Sequence, residues 1–95
     1  MMPAPKPTLA LALFLAAGLP ALSAESFRVE GLPRDDSLTI RETPDADAPA
    51  LGKIPAGRRV LGFGCTNDTP SGLTWCRVRF ERVLGWARRR YLTPD

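Results

Sequence analysis

A chain of 95 residues is long enough for one small domain. Its 13 Lys and Arg residues against 10 Asp and Glu give a formal net charge of +3, which is too small to predict nucleic-acid binding. The absence of histidine removes the commonest general base and metal ligand, which argues against catalysis and metal binding.

The N-terminal segment predicts a secretory signal peptide over residues 1–24. Lys6 is followed by an uncharged apolar run over residues 8–22, and small residues follow before charge returns at Glu25. A membrane anchor is the alternative, but the run is short for a bilayer span, and a Gly and a Pro interrupt its end. We therefore expect cleavage near Glu25 and an exported domain over residues 25–95, periplasmic or extracellular, with no stable membrane insertion.

Short alternating stretches separated by turn formers predict an all-β fold. Residues 27–29 and 38–41 read as strands, with Leu38 and Ile40 facing inward, and a proline-containing loop follows at residues 42–49. Residues 51–54 read as a short apolar return. We then expect strands at residues 58–64, 74–80 and 83–87, and a tight turn at residues 88–90 before Tyr91 and Leu92. Strands of about five residues separated by turns are typical of a small barrel or sandwich.

The two cysteines, Cys65 and Cys76, predict a disulfide, because an even pair in an exported domain is expected to be oxidised. A metal site would need more ligands and a catalytic thiol would need a base, and no histidine is available for either. The bridge closes a short loop, which stabilises the fold by about 3 kcal/mol in the chain-entropy model.

Placing Cys65 opposite Cys76 also predicts the register of an antiparallel hairpin. On the disulfide face, Phe63 then lies opposite Val78, and Leu61 lies opposite Phe80. On the other face, glycines lie opposite arginines, with Gly64 across from Arg77 and Gly62 across from Arg79. A slip of one residue would destroy this separation of apolar and polar side chains.

Short motifs follow one another along the predicted domain, namely Leu38–Arg41 with Pro44, Leu51–Gly57, Trp75–Val78, Gly85–Ala87 and Tyr91–Leu92. Their order and spacing resemble the bacterial SH3 (SH3b) family over nearly the whole predicted domain. The resemblance implies a five-stranded, partly open SH3-like barrel. It also implies a binding or targeting role, often at the cell wall, rather than catalysis.

The chain departs from the family pattern in two loops. In the first loop, Thr43 stands where the family usually has Gly, and Ala48 stands where it often has an aromatic residue. In the last hairpin turn, Glu81 and Arg82 replace the usual Gly. Because a two-residue turn favours positive φ, which these residues disfavour, we expect a longer or bulged turn there.

One candidate ligand surface lies on the face opposite the disulfide. Trp75 precedes Cys76 in its strand and therefore shares that face with Arg77 and Arg79, and a two-residue turn would place Trp86 across from Arg77. The binding hypothesis is a flat surface of Trp75, Arg77, Arg79 and Trp86, on which tryptophan stacks against a sugar or peptide and arginine binds anionic groups. The alternative is that the indoles close the barrel ends beneath the arginine stems.

Two charged segments are weaker candidates. Arg88–Arg90 together with Arg58–Arg59 could attract wall polymers, acidic lipids or acidic proteins, or could be ordinary solvated residues. Asp45 and Asp47 could contact Ca²⁺, but a calcium site needs about six or more oxygen ligands and no EF-hand spacing is present. We therefore predict no metal site and no cofactor.

These observations lead to a function without catalytic residues. We predict a non-catalytic exported binding module that recognises cell-wall material, peptidoglycan, or a short peptide. The alternative is a structural or regulatory interaction protein that binds an exported protein partner. Nucleic acid is not an expected partner.

Overall fold

A computed structural model describes residues 23–95 of the chain. The strands are β1 (Glu25–Val29), β2 (Ser37–Arg41), β3 (Ala50–Pro55), β4 (Arg59–Thr66), β5 (Trp75–Phe80), β6 (Val83–Arg88) and β7 (Leu92–Pro94). A 3-10 helix at Arg89–Tyr91 joins β6 to β7, where the sequence predicted a tight turn. The predicted signal peptide lies almost entirely outside the described residues. Within residues 23–95, no helix is long and apolar enough to cross a membrane.

All the strands of the described part belong to one antiparallel sheet, in the order β3-β2-β6-β5-β4-β1-β7. The edge strands β3 and β7 do not pair with each other, so the sheet is open. The expected number of five strands was wrong, because the sheet has seven. The N-terminal β1 pairs with β4 and carries the C-terminal β7 as its outer neighbour.

The core lies on one face of this sheet, as the alternation of apolar residues predicted. In β2, Leu38 and Ile40 are buried while their neighbours are only half-buried, which confirms their inward orientation. Ile54 near one edge of the sheet and Leu92 near the other belong to the same buried cluster, so the sheet curls around it. Fully burying a side chain such as Ile54 stabilises the fold by about 1.5–3 kcal/mol.

The disulfide between Cys65 and Cys76 is present, and the two residues lie opposite each other as predicted. The predicted register does not continue along β4, because the pairing shifts between Gly62 and Cys65. An extra residue bulges out there, and Gly64 adopts a φ of 123° that residues with a side chain rarely take. The strand therefore changes which side chains face the core partway along its length.

The shift reverses the predicted orientation of two side chains. Gly62 lies opposite Val78, where Phe63 was expected, and Leu61 lies opposite Arg79 instead of Phe80. Leu61 and Phe63 consequently point outward, with 37% and 43% of their surface exposed. Two predicted apolar pairs of the hairpin are thus wrong.

The close packing of Gly62 against Phe27 explains the inward position of the glycine. A Cβ atom at position 62 would lie far inside van der Waals contact with Cε2 of Phe27. Phe27 is itself buried in the core. The core therefore accepts only a glycine at this point of β4.

The hairpin between β5 and β6 also differs from expectation. Phe80 pairs with Val83, so Glu81 and Arg82 form a two-residue turn and not the longer or bulged turn that we expected. Glu81 makes this possible by adopting a φ of 56°. This left-handed conformation is strained for a residue with a side chain.

Candidate functional site

The predicted ligand surface is only partly present as an exposed surface. Arg77 and Arg79 are exposed on β5, and Trp86 lies across from Arg77, as predicted. Trp75 has only 2% of its surface exposed, so its inclusion in an exposed surface was wrong. The binding role of these four residues remains a prediction. Trp75 is buried, whereas Arg77 and Arg79 are exposed to solvent.

Trp75 lies in a groove that we call the Trp75 groove, with a cavity volume of about 210 Å³. Its lining comes from β2, the two loops that flank β2, β5, the end of β6 and the 3-10 helix. The lining residues are Leu32, Ser37, Leu38, Thr39, Arg41, Ala46, Trp75, Arg88 and Tyr91. Apolar side chains, hydroxyl groups and two arginines thus converge on one concave surface.

Arg88 is the cross-strand partner of Trp75 and stacks on its ring. The two residues lie opposite each other in the β5–β6 pairing, and the guanidinium carbon of Arg88 is 5.8 Å from the ring centroid of Trp75. Within the described residues, the buried Nε1 of Trp75 and the buried Nε of Arg88 have no hydrogen-bond partner. Two buried N–H donors without an acceptor thus belong to a stacked pair of residues that line the groove.

The other groove arginine holds the loop that flanks the site. Arg41 donates a hydrogen bond from Nη1 to the backbone carbonyl of Ala48 at 2.8 Å. The loop is also tied internally, because the backbone N–H of Ala48 donates to the carbonyl of Asp45 at 3.0 Å. Ala48, which replaces the family's aromatic residue, is buried at the base of this loop. Arg41 thus positions one wall of the groove.

The predicted basic segments do not form one free basic patch, because each of the stacked arginines covers a different ring. Arg58 lies over Phe80, Arg89 over Phe27 and Arg90 over Tyr91, with guanidinium-to-centroid distances of 5.0, 5.3 and 5.2 Å. Arg59 forms an ion pair with Asp95. The alternative for these segments was ordinary solvated residues, but three of these arginines instead pack their stems against aromatic rings.

A second surface, which the sequence predicted only in part, lies on the outer face of β4, β5 and β6. We call it the arginine platform and define it by Leu61, Phe63, Arg77, Arg79 and Leu84. Phe63, Leu84 and the two arginines line a shallow depression of about 300 Å³. Leu84 could have been found, because the two-residue turn places it opposite Arg79. Phe63 and Leu61 were missed because the bulge that turns them outward has no strong sequence signal.

The described residues contain no cluster of Cys, Asp or Glu that could hold a metal ion. In the loop considered for calcium, the carboxylate of Asp45 accepts a hydrogen bond from the backbone N–H of Asp47 at 3.0 Å. This contact is a local turn interaction of a kind that Asp commonly makes.

Comparison with known protein families is consistent with this architecture. The sequence model of the family described as the bacterial SH3 domain matches residues 36–93, which is more than half of the chain. The matched segment includes every residue of the arginine platform and most of the groove lining. No curated protein and no solved structure matches the sequence.

Proposed function

Because the chain belongs to the bacterial SH3 domain family, we propose that it is an exported, non-catalytic binding module for a carboxylate-bearing peptide, foremost the stem peptide of peptidoglycan. The Trp75 groove is the proposed binding site. Members of this family are generally binding modules, and the groove offers the donors that a carboxylate requires. A short free peptide with the same chemistry would be bound in the same way.

The observation that carries the proposal is the unpartnered indole N–H of Trp75. Trp75 is 2% exposed, and its Nε1 has no acceptor among the described residues. Leaving a buried donor without a partner costs about 1–3 kcal/mol, so native structures seldom retain one without a reason. A ligand oxygen in the groove would accept this hydrogen bond once the side chains that cover the buried Nε1 move aside, and would recover that cost.

Arg88 gives the groove its preference for a negatively charged oxygen. Its guanidinium is held over the indole of Trp75, and its Nε also lacks a partner among the described residues. A guanidinium presents several N–H groups in a fixed plane that matches the two oxygens of a carboxylate. Trp75 and Arg88 together therefore favour a carboxylate over a neutral hydroxyl or a sugar ring.

The size of the groove supports recognition of one peptide group. Its volume of about 210 Å³ lies below the roughly 300–1,000 Å³ of sites that enclose whole small molecules. A terminal or side-chain carboxylate with its neighbouring atoms fits such a space. Thr39 and Tyr91 add a hydroxyl group and an aromatic edge that can orient the backbone of the same peptide.

Export is supported by the N-terminal sequence pattern and by the disulfide. The apolar run before Glu25 is typical of a cleaved signal peptide. The Cys65–Cys76 bridge suits an oxidising compartment, where peptidoglycan is also accessible. The groove lining contains no carboxylate and the sequence contains no histidine, so we propose no acid–base chemistry for this site.

The second candidate function is binding of an exported protein partner in a structural or regulatory role. The exposed apolar residues of the arginine platform favour it, since Phe63 and Leu84 are each 43% exposed. That surface is distinct in its residues from the Trp75 groove. The two functions can therefore be separated with variants of one surface at a time.

The proposal is tested by co-sedimentation of the secreted protein with isolated peptidoglycan across a salt series. A second sample of peptidoglycan, stripped of stem peptides by an amidase, separates peptide recognition from glycan recognition. We expect pelleting with intact peptidoglycan only. Equal pelleting with the stripped glycan contradicts the proposal. Absence of pelleting with intact peptidoglycan even at low salt also contradicts it and favours a protein partner.

Matched variants then assign the binding to the groove. Trp75→Phe keeps an aromatic ring but removes the indole donor, and Arg88→Gln removes the charge. A hydrogen bond to a charged group contributes about 1.5–3 kcal/mol, so each change should weaken binding roughly 10- to 100-fold. Arg82→Gln removes a charge from the exposed β5–β6 turn and should leave binding unchanged.

A further inference from the structure

The arginine platform has an ordered arrangement of charged and apolar side chains. Arg77 and Arg79 are two residues apart in β5 and point outward from the same face. Their side chains therefore leave the sheet about 6–7 Å apart. Arg79 is flanked across the sheet by Leu61 on β4 and Leu84 on β6. Two cations thus occupy the middle of the surface, with apolar side chains on both sides.

The two platform arginines have no charged partner within the described residues. The ion pairs of this part of the chain involve Arg28, Arg58 and Arg59 only. The stacked arginines of the described part are likewise other residues, since those contacts involve Arg58 and Arg88–Arg90. Arg77 and Arg79 are therefore exposed charges that remain available to a partner.

Three large apolar side chains of the platform are exposed to solvent. Leu61, Phe63 and Leu84 are between 37% and 43% exposed, and Phe63 and Leu84 line the same depression as the two arginines. Phe63 is turned outward by the bulge at Gly64, which costs the hairpin a regular pairing. Apolar residues grouped in this way typically mark a protein interaction surface.

We propose that the arginine platform docks an acidic amphipathic helix of another exported protein. The charge of the occupant follows from Arg77 and Arg79, which require two carboxylates about 6–7 Å apart. Glutamates at positions i and i+4 of a helix lie about 5–6 Å apart and match this spacing. Leucines at i+3 and i+7 of the same helix would contact Leu84 on one side or Leu61 and Phe63 on the other.

This inference goes beyond peptide-carboxylate binding in the Trp75 groove and does not depend on it. Trp86 separates the two surfaces, because it pairs across the sheet with Arg41 of the groove on one side and with Arg77 of the platform on the other. A protein that docks on the platform would thus lie beside the groove without filling it.

The test uses NMR titration of the ¹⁵N-labelled secreted protein with a defined synthetic helix. The probe repeats Glu at i and i+4 with Leu at i+3 and i+7, and the reference peptides are a scramble of the same composition and a version with Lys in place of Glu. We expect amide shifts centred on β4, β5 and β6 at the platform, and binding by the Glu helix at least tenfold tighter than by either reference.

Charge reversal on the platform provides the matched comparison. Arg77→Glu together with Arg79→Glu should weaken binding of the Glu helix more than tenfold, whereas Arg82→Glu in the neighbouring turn should change it less than twofold. All three positions are exposed, and the dispersion of the free protein's spectrum reports whether each variant is folded. Trp75→Phe should leave helix binding intact, which separates this proposal from the groove proposal.

Three results would overturn the inference. One is equal binding of the scrambled peptide, and another is a set of shifts centred on the Trp75 groove. In the third, the charge-reversed variant no longer pellets with peptidoglycan but still binds the helix. The platform would then be a wall-binding surface.

Discussion

The guanidinium carbon of Arg88 lies 5.8 Å from the ring centroid of Trp75, and both side chains carry a buried N–H without a partner among the described residues. The stacking holds the charge of Arg88 beside the indole, and both residues line the groove. This pair distinguishes the groove from the remaining arginine–aromatic contacts. In those contacts the arginines cover core or surface rings and no buried donor is left without a partner.

The burial of Trp75 predicts a large effect on stability. Trp75→Ala should lower the free energy of unfolding by about 3–5 kcal/mol, because it removes a buried aromatic side chain and leaves a cavity. Trp86→Ala, at a half-buried position, should cost less than half as much. Urea unfolding followed by far-UV circular dichroism measures both. A change below about 0.5 kcal/mol for Trp75→Ala would indicate an exposed side chain.

The disulfide should contribute to stability without defining the fold. Reduction of the Cys65–Cys76 bridge should lower the free energy of unfolding by about 3 kcal/mol while the β-sheet signature in far-UV circular dichroism persists. The double variant Cys65→Ala and Cys76→Ala should match the reduced protein and should not respond to reductant. Unchanged stability on reduction would contradict the entropic role that we assign to the bridge.

The contact between Gly62 and Phe27 predicts that a single methyl group at position 62 is destabilising. Gly62→Ala should cost about 1–3 kcal/mol, because its Cβ would meet the ring of Phe27. Phe27→Leu should partly relieve the clash, so the double variant should be more stable than the sum of the two changes predicts. Additive losses in denaturant unfolding would show that the two positions do not contact each other.

The strained turn between β5 and β6 offers a stabilising substitution. Glu81 is the only non-glycine residue with positive φ in the described part of the chain, and glycine adopts this conformation without a steric cost. Glu81→Gly should therefore raise the free energy of unfolding by up to about 1 kcal/mol. Arg82→Gly, at a position without positive φ, should lower it. A loss of stability in Glu81→Gly would mean that the turn is not strained.

The strands could be predicted from the sequence because alternation is a local property. Leu38 and Ile40 are buried in β2 as expected, and the cysteine pairing located the opposite strands correctly. The register of the hairpin could not be predicted, because it depends on Phe27, a residue far earlier in the chain that leaves no room for a side chain at Gly62. Alternation alone contains no information about that contact.

Only part of the candidate site could be predicted, again because strand alternation does not report contacts with distant parts of the chain. Arg77, Arg79 and Trp86 lie where strand alternation and a two-residue turn placed them. Trp75 was assigned to an exposed surface because alternation identifies a face of the sheet but not what packs against it. The Trp75 groove is formed by β2, its flanking loops and the 3-10 helix, which meet Trp75 only after the sheet has curled.

The measurement that tests the central claim most directly is the indole ¹⁵N–¹H resonance of Trp75 during titration with purified stem peptide. The chain has two tryptophans, and Trp75→Phe and Trp86→Phe assign their two indole signals. We predict that the Trp75 signal moves downfield as its N–H donates to a peptide carboxylate, while the Trp86 signal changes little. An unmoved Trp75 signal at saturating stem peptide would contradict the proposed role of the groove.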